Sequence, residues 1–350
     1  MDAKITKKRL NILLSYDWIK IILLAVAAIL VWSLIFTMTA TRVTPAQNFT
    51  IFNYTGTSVT DRFNSYSSLK GKDVFSYEIL EISTTDITTG KNYSETLLQT
   101  RTATEEGDAL FAANVENEEV SYADPNGEAY HPTYLQQFLY SYYSIAAEMD
   151  KYLEEMEVYL DNYYNGDYKA GVADTAKIEQ DFRARIKRFK DKRFKNETQI
   201  QKGLKDELTR IENYRKALVD FNGYLEDGYV ELTETTLYLQ NSSTGETLTL
   251  TGKYSINLCP DERMKNLKND VYYYKTVKDE NDEEKTVPTA EDINIVLLDF
   301  HNDKYAYSRW EGLCFVNYLI RTSLAAEPSI SEMSFSASLI TPFGQERLSE

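Results

Sequence analysis

The chain has 350 residues, a formal charge of −16 and 43 % hydrophobic residues. That length can bury one large or two medium cores, and the acidity argues against nucleic acid, whose phosphates a protein must neutralise. Two cysteines, Cys259 and Cys314, are too few for a disulfide framework and fit no zinc spacing; they read as two buried thiols or one bridge.

Residues 1–16 carry Lys4, Lys7, Lys8 and Arg9 and read as a cytoplasmic N-terminus. Residues 17–40 read as a transmembrane helix, because IILLAVAAILVWSLIFTMTA (21–40) holds no charge. A helix of that length rises about 30 Å, the thickness of a bilayer core. Tyr16, Trp18 and Lys20 stand where amphipathic side chains meet the headgroup layer. Downstream, only Arg42 and Arg62 precede Lys70, so the positive-inside rule places residues 41–350 outside the cytoplasm. MTA at 38–40 resembles a signal-peptidase site, but the basic region is long and the apolar run exceeds the usual signal length. The expectation is a single-pass signal anchor in the cell membrane, with the bilayer as its partner.

Residues 41–72, rich in Thr, Ser and Asn, read as a tether with one short strand at 50–54. A first α/β part is expected over 73–130. In it, DVFSYEILEIS (73–83) is apolar on both faces and predicts an inner strand. Asn92, with Glu95 three residues on, predicts a helix start. Gly107 suits the left-handed residue that ends a helix, and ALFAA (109–113) follows as a buried strand without alternation. Strand, helix and strand make a βαβ unit.

Residues 131–226 change to helical periodicity. One long helix is expected from Leu135 to Leu160, a second through Ile178, Phe182, Ile186 and Phe189, and a third from Ile200 to Phe221. They read as a helical subdomain inserted into, or packed beside, the sheet. A second α/β part is expected over 227–350: a hairpin across NSSTG (241–245), a strand at 271–277, a central strand at 293–300 and a helix at 310–320. The fold class is therefore α/β (α+β), a mixed-sheet extracytoplasmic domain behind one transmembrane helix.

The chain contains no HExxH, GxSxG, Walker or GxGxxG motif, and its histidines are His131 and His301. A hydrolase built on two distant carboxylates leaves no motif, so the acidic residues name no pair, and the chain reads as non-catalytic. DENDEE (279–284) lacks the glycine of an EF-hand loop and reads as a solvated turn; no metal and no cofactor are expected. Around RARIKRFKDKRFK (183–195) lies the one basic island, with Arg183, Arg185, Lys187, Arg188, Lys192 and Arg193. It fits either an anionic partner or the solvated face of a helix. Sequons occur at Asn48, Asn53, Asn92, Asn196 and Asn241.

The passage LLQTRTATEEGDALFAAN (97–114) resembles the helix, Gly-Asp, strand junction of bacterial extracellular solute-binding proteins of the type II periplasmic-binding kind. SRWEGLCFVNYLI (308–320) resembles their late aromatic-rich helix, and YSINLCPDERMKNLKN (254–269) the passages that join their lobes. The chain departs from them in having neither a lipobox cysteine nor a cleavable signal. The resemblance implies two lobes closing on a small solute or saccharide, for a membrane transporter or partner to receive, with Thr84, Asn114 and Trp310 near the cleft. The competing expectation is a structural or interaction component of the envelope that docks through its helices.

Overall fold

The computed structural model describes residues 18–39, 43, 45–60, 63, 74–88, 93–240, 246–278, 283–300 and 308–325. Tyr16, residues 64–72 of the expected tether, Asn92, the turn 241–245, residues 279–282 of the acidic loop, His301 and the tail from 326 lie outside them. The chain divides into two compact units, Met1–Thr44 and Pro45–Glu350. The first holds helix α1 (Trp18–Thr39), whose stretch Trp18–Phe36 has a mean hydropathy of 2.7 and buries none of its residues. It is long and apolar enough to cross a membrane, a property that signal sequences share.

In the second unit a six-stranded mixed sheet runs in the order β3-β1-β4-β11-β8-β7. Its strands are β1 (Asn48–Tyr54), β3 (Glu81–Ile87), β4 (Ala109–Ala113), β7 (Glu231–Gln240), β8 (Thr247–Asn257) and β11 (Ile293–Leu297). The half β3-β1-β4 is parallel; β11 runs antiparallel to both β4 and β8. The expected βαβ unit is present as β3, helix α2 (Ser94–Ala103) and β4, but β1 lies between its two strands. Smaller sheets are formed by β2 (Ser58–Val59), β9 (Val271–Lys278) and β10 (Glu284–Thr289), and by β5 (Tyr122–Ala123) with β6 (Ala129–Tyr130).

Side chains alternate across the central strands, as the period of two requires. Phe49 and Ile51 of β1, Phe111 of β4 and Ile293 and Ile295 of β11 enter one apolar cluster. Phe52, Leu110 and Val296 enter the other. Helices cover both faces, so these strands are mainly apolar on both sides, with Thr50, Asn53 and Asn294 as buried exceptions. Helices α4 (Met149–Asp161), α5 (Thr175–Phe189), α6 (Glu197–Glu226) and α7 (Glu311–Ala325) feed the first cluster; α2 and α3 (Tyr134–Tyr142) feed the second. The helices of 131–226 thus share both cores with the sheet.

Gly107 sits at φ +136°, and a Cβ there would meet Phe52 Cε2 at 2.5 Å. Only glycine fits, because the helix-to-strand turn is pressed onto a ring of β1.

Two expectations are corrected. The run 73–83 is not a strand through its length: 74–80 is irregular, and β3 begins at Glu81, on the edge of the sheet. Its alternation reflects other duties, since the Ser76 N–H donates to Glu311 and Glu78 pairs with arginines. The single helix expected from Leu135 to Leu160 is broken into α3, a 3₁₀ turn (Tyr143–Ile145) and α4. At the break the backbone turns to β11: the Ala147 N–H donates to Leu297 O at 2.8 Å, and Ile145 O accepts from Asp299 at 2.8 Å. The apolar rhythm runs across a junction that hydrogen bonding interrupts.

Both described asparagines of β1 that head sequons are tied into the sheet. Asn53 is 3 % exposed and donates to Asp86 Oδ1 at 2.8 Å. Asn48 donates to Ser83 Oγ at 3.0 Å. Asn196 is exposed and caps α6 by accepting from the Gln199 N–H.

Candidate functional site

Helix α4 turns Met149, Tyr152, Met156 and Leu160 inward and leaves a polar face outward. Glu148 starts it, accepting from the Lys151 N–H at 2.9 Å. Along that face runs an open groove of about 540 Å³, lined by Lys151, Glu154, Glu155, Val158, Tyr159, Asn162, Arg309 and Trp310. A second hollow of about 490 Å³ shares Val158 and Asn162 with it and reaches Asn165, Asp174 and Lys177.

Trp310 precedes α7 and forms the inner wall. Its ring meets Tyr152 edge-on at 4.9 Å and Tyr159 at 5.8 Å. The Arg309 guanidinium lies over the Trp310 ring at 4.6 Å and over Tyr152 at 5.5 Å. Arg309 is held there by Glu155 at 2.5 Å and by Asp299, to which its Nε donates at 2.7 Å. Lys151 approaches Glu155 at 3.6 Å. Val158, on the lining of both hollows, is 60 % exposed. Trp310 Nε1 is buried and has no hydrogen-bond partner among the described residues.

Behind this wall lies a buried polar network. Glu311, in the first turn of α7, is fully buried and accepts from Tyr214 OH at 2.6 Å and from the Ser76 N–H at 3.0 Å. Burial pushes its carboxyl above the ordinary range, against those hydrogen bonds. Asp108, half-buried at the start of β4, accepts from the Thr50 N–H at 2.7 Å. Burial pushes it up to about 7; the Thr50 hydrogen bond opposes this and the Glu311 charge adds to it. Glu207 is also buried, yet Arg210 and Arg185 outweigh the desolvation and hold it at about 2.

The three residues placed by geometry at strand ends do not converge. Thr84 is level with Ile51 of β1 and so with Ala109, the first residue of β4. Asn114 lies past the far end of β4, on the order of 16 Å further along at about 3.3 Å per residue. Its N–H donates to Asp292 O at 2.9 Å. Trp310 lies by the other end of β4, where Asp108, Leu297 and Arg309 line a hollow of about 20 Å³. Of the three, Trp310 borders the groove. Sequence reasoning missed Arg309 and Glu155, which carry no motif; the aromatic Tyr152 was legible as a core position of α4.

The basic island is split. Arg183 pairs with Glu179 at 2.8 Å and with Glu197 at 2.5 Å. Arg185 meets Glu78 at 3.0 Å and Glu207 at 2.9 Å, and Arg193 meets Glu78 and Asp191, each at 2.7 Å. Lys187, Arg188 and Lys192 are exposed. Trp18 and Lys20 lie on the first turn of α1. No group of three or more His, Cys, Asp or Glu side chains suited to a metal occurs among the described residues. Cys259 and Cys314 are both free and buried. Comparison with protein-family models, with curated proteins and with solved structures gave no match.

Proposed function

We propose that this chain is a non-catalytic, single-pass membrane protein whose unit from Pro45 onward is extracytoplasmic and docks onto another protein of the envelope. The helices of 131–226 serve as the docking element, with the groove of α4 as the contact. One observation carries this reading: the hollows of about 540 and 490 Å³ beside α4 are open furrows along a helix, while the sheet is packed on both faces. An open furrow with an aromatic wall, paired charges and an exposed valine suits a protein surface, where apolar anchors sit inside a polar rim. Small solutes are held in deeper sites.

The test is a photo-crosslinking residue at Val158 in the full chain, in its native membrane. A discrete adduct should form there, disappear when Glu154→Lys is added, and be absent with the crosslinker at exposed Leu248. Equal, diffuse labelling at both positions would sink the proposal.

The reading as a solute receptor of the solute-binding-protein type is favoured by a different observation, the unpartnered Trp310 N–H beside the groove. Trp310 is the one tryptophan beyond Trp18 and Trp32. A saturable change in its fluorescence with a sugar, amino acid or peptide, in residues 45–350, would transfer the assignment to that reading.

A further inference from the structure

The split of the basic island leaves a tip on which four lysines enter no ion pair among the described residues. From Lys187 to Lys195 the sequence KRFKDKRFK holds six basic residues and one acid, Asp191, in a chain of net charge −16. Arg193 and Asp191 pair with each other. Lys187, Lys190, Lys192 and Lys195 are exposed and enter no ion pair among the described residues. Carboxylates nearby are engaged elsewhere: Glu179 and Glu197 hold Arg183, Glu207 holds Arg185 and Arg210, and Asp181 accepts from Tyr163 OH.

Two further features mark this tip. Phe194 is turned inward against Phe182, with ring centroids 5.1 Å apart, whereas Phe189 is 43 % exposed among the lysines with the Arg188 guanidinium 5.3 Å above its ring. Lys190, the residue that closes α5, has φ 51° and ψ 45°. Glycine is the residue that takes this left-handed position without penalty. A lysine there gives up helix-end stability and keeps a cation beside Phe189.

We propose that the tip Lys187–Lys195 is a docking surface for an anionic lipid bilayer. Clustered lysines meet acidic headgroups, each contributing attraction that salt screens, and an exposed aromatic among cations is the chemistry of side chains that settle at the membrane interface. A soluble polyanion would use the cations alone. The membrane-anchor reading adds that such a surface is close at hand, which raises its effective concentration; the lipid contact itself does not need α1.

The test uses residues 45–350, which hold both apolar clusters, in co-sedimentation with vesicles of phosphatidylcholine alone or with phosphatidylglycerol added. Binding should require phosphatidylglycerol and weaken with salt. It should fall by about tenfold or more when Lys187, Lys190, Lys192 and Lys195 are changed together to Gln, and several-fold in Phe189→Ala. Lys190→Gly is the sharpest variant: it should raise the melting temperature and weaken binding. No binding to acidic vesicles at low salt would overturn the proposal. So would equal affinity for dextran sulfate with no effect of Phe189→Ala, which would assign the tip to a soluble polyanion.

Discussion

Asp108 and Gly107 are neighbours whose roles were half legible. Gly107 can be read from its place after a helix, but its clash partner, Phe52, comes from a strand fifty residues upstream and is visible only in the fold. Gly107→Ala should lower the unfolding free energy by about 2–3 kcal/mol, from left-handed strain and overpacking together; a urea titration within 0.5 kcal/mol of the parent would contradict this. Asp108 makes a pH prediction. Burial pushes its carboxyl up to about 7, above the ordinary value of 3.8. Between those two values the folded state holds a proton that the unfolded chain has released. The contribution is therefore full below the lower value and is lost as pH rises through the upper one. Asp108→Asn should flatten the stability profile between pH 4 and 7, gaining on the order of 1–2 kcal/mol relative to the parent at pH 8, since the site is half-buried rather than sealed. Chemical denaturation at pH 5 and pH 8 decides it.

At the scale of elements, the segment 74–80 shows how a polar residue can defeat a periodic pattern. Its apolar alternation suggests a strand, yet Glu78, 1 % exposed, is anchored by Arg185 and Arg193. That ties the segment to α5 and to the loop after it. Glu78→Gln should cost about 2 kcal/mol, because Arg185 and Arg193 would each keep their desolvation with one carboxylate fewer, Glu207 and Asp191 remaining; a thermal melt unchanged from the parent would remove Glu78 from the framework. The contrast with β4 and β11 is instructive. Their apolar runs, broken only at Asn294, are stretches that local sequence marks as central, and both lie inside the sheet. The break between α3 and α4 was hidden because the heptad-like rhythm of Phe138, Leu139, Met149, Tyr152 and Met156 continues across it. What interrupts the helix is backbone pairing with β11, about 150 residues later in the chain. The groove was hidden for the same reason, since Arg309 and Glu155 acquire meaning only when α7 is laid beside α4.

At the scale of the molecule, a sheet that joins β1 to β11 makes the unit from Pro45 onward one cooperative structure. Residues 45–350 should unfold in a single calorimetric transition, with equal calorimetric and van't Hoff enthalpies. Dithiothreitol should leave the melting temperature unchanged, because both thiols are free. Two separated transitions would mean that the halves of the sheet are independent. Asn48 and Asn53 add a consequence for how this chain can be made. An oligosaccharyl transferase acts on the chain as it emerges, before β1 has neighbours, and both sequons would then be open to it. A glycan on Asn53 could not be stowed where the amide now meets Asp86, so β1 would be barred from its place between β3 and β4. Production through a eukaryotic secretory pathway should therefore yield misfolded protein that Asn48→Gln with Asn53→Gln rescues, while a cytoplasmic or bacterial host should not need the change.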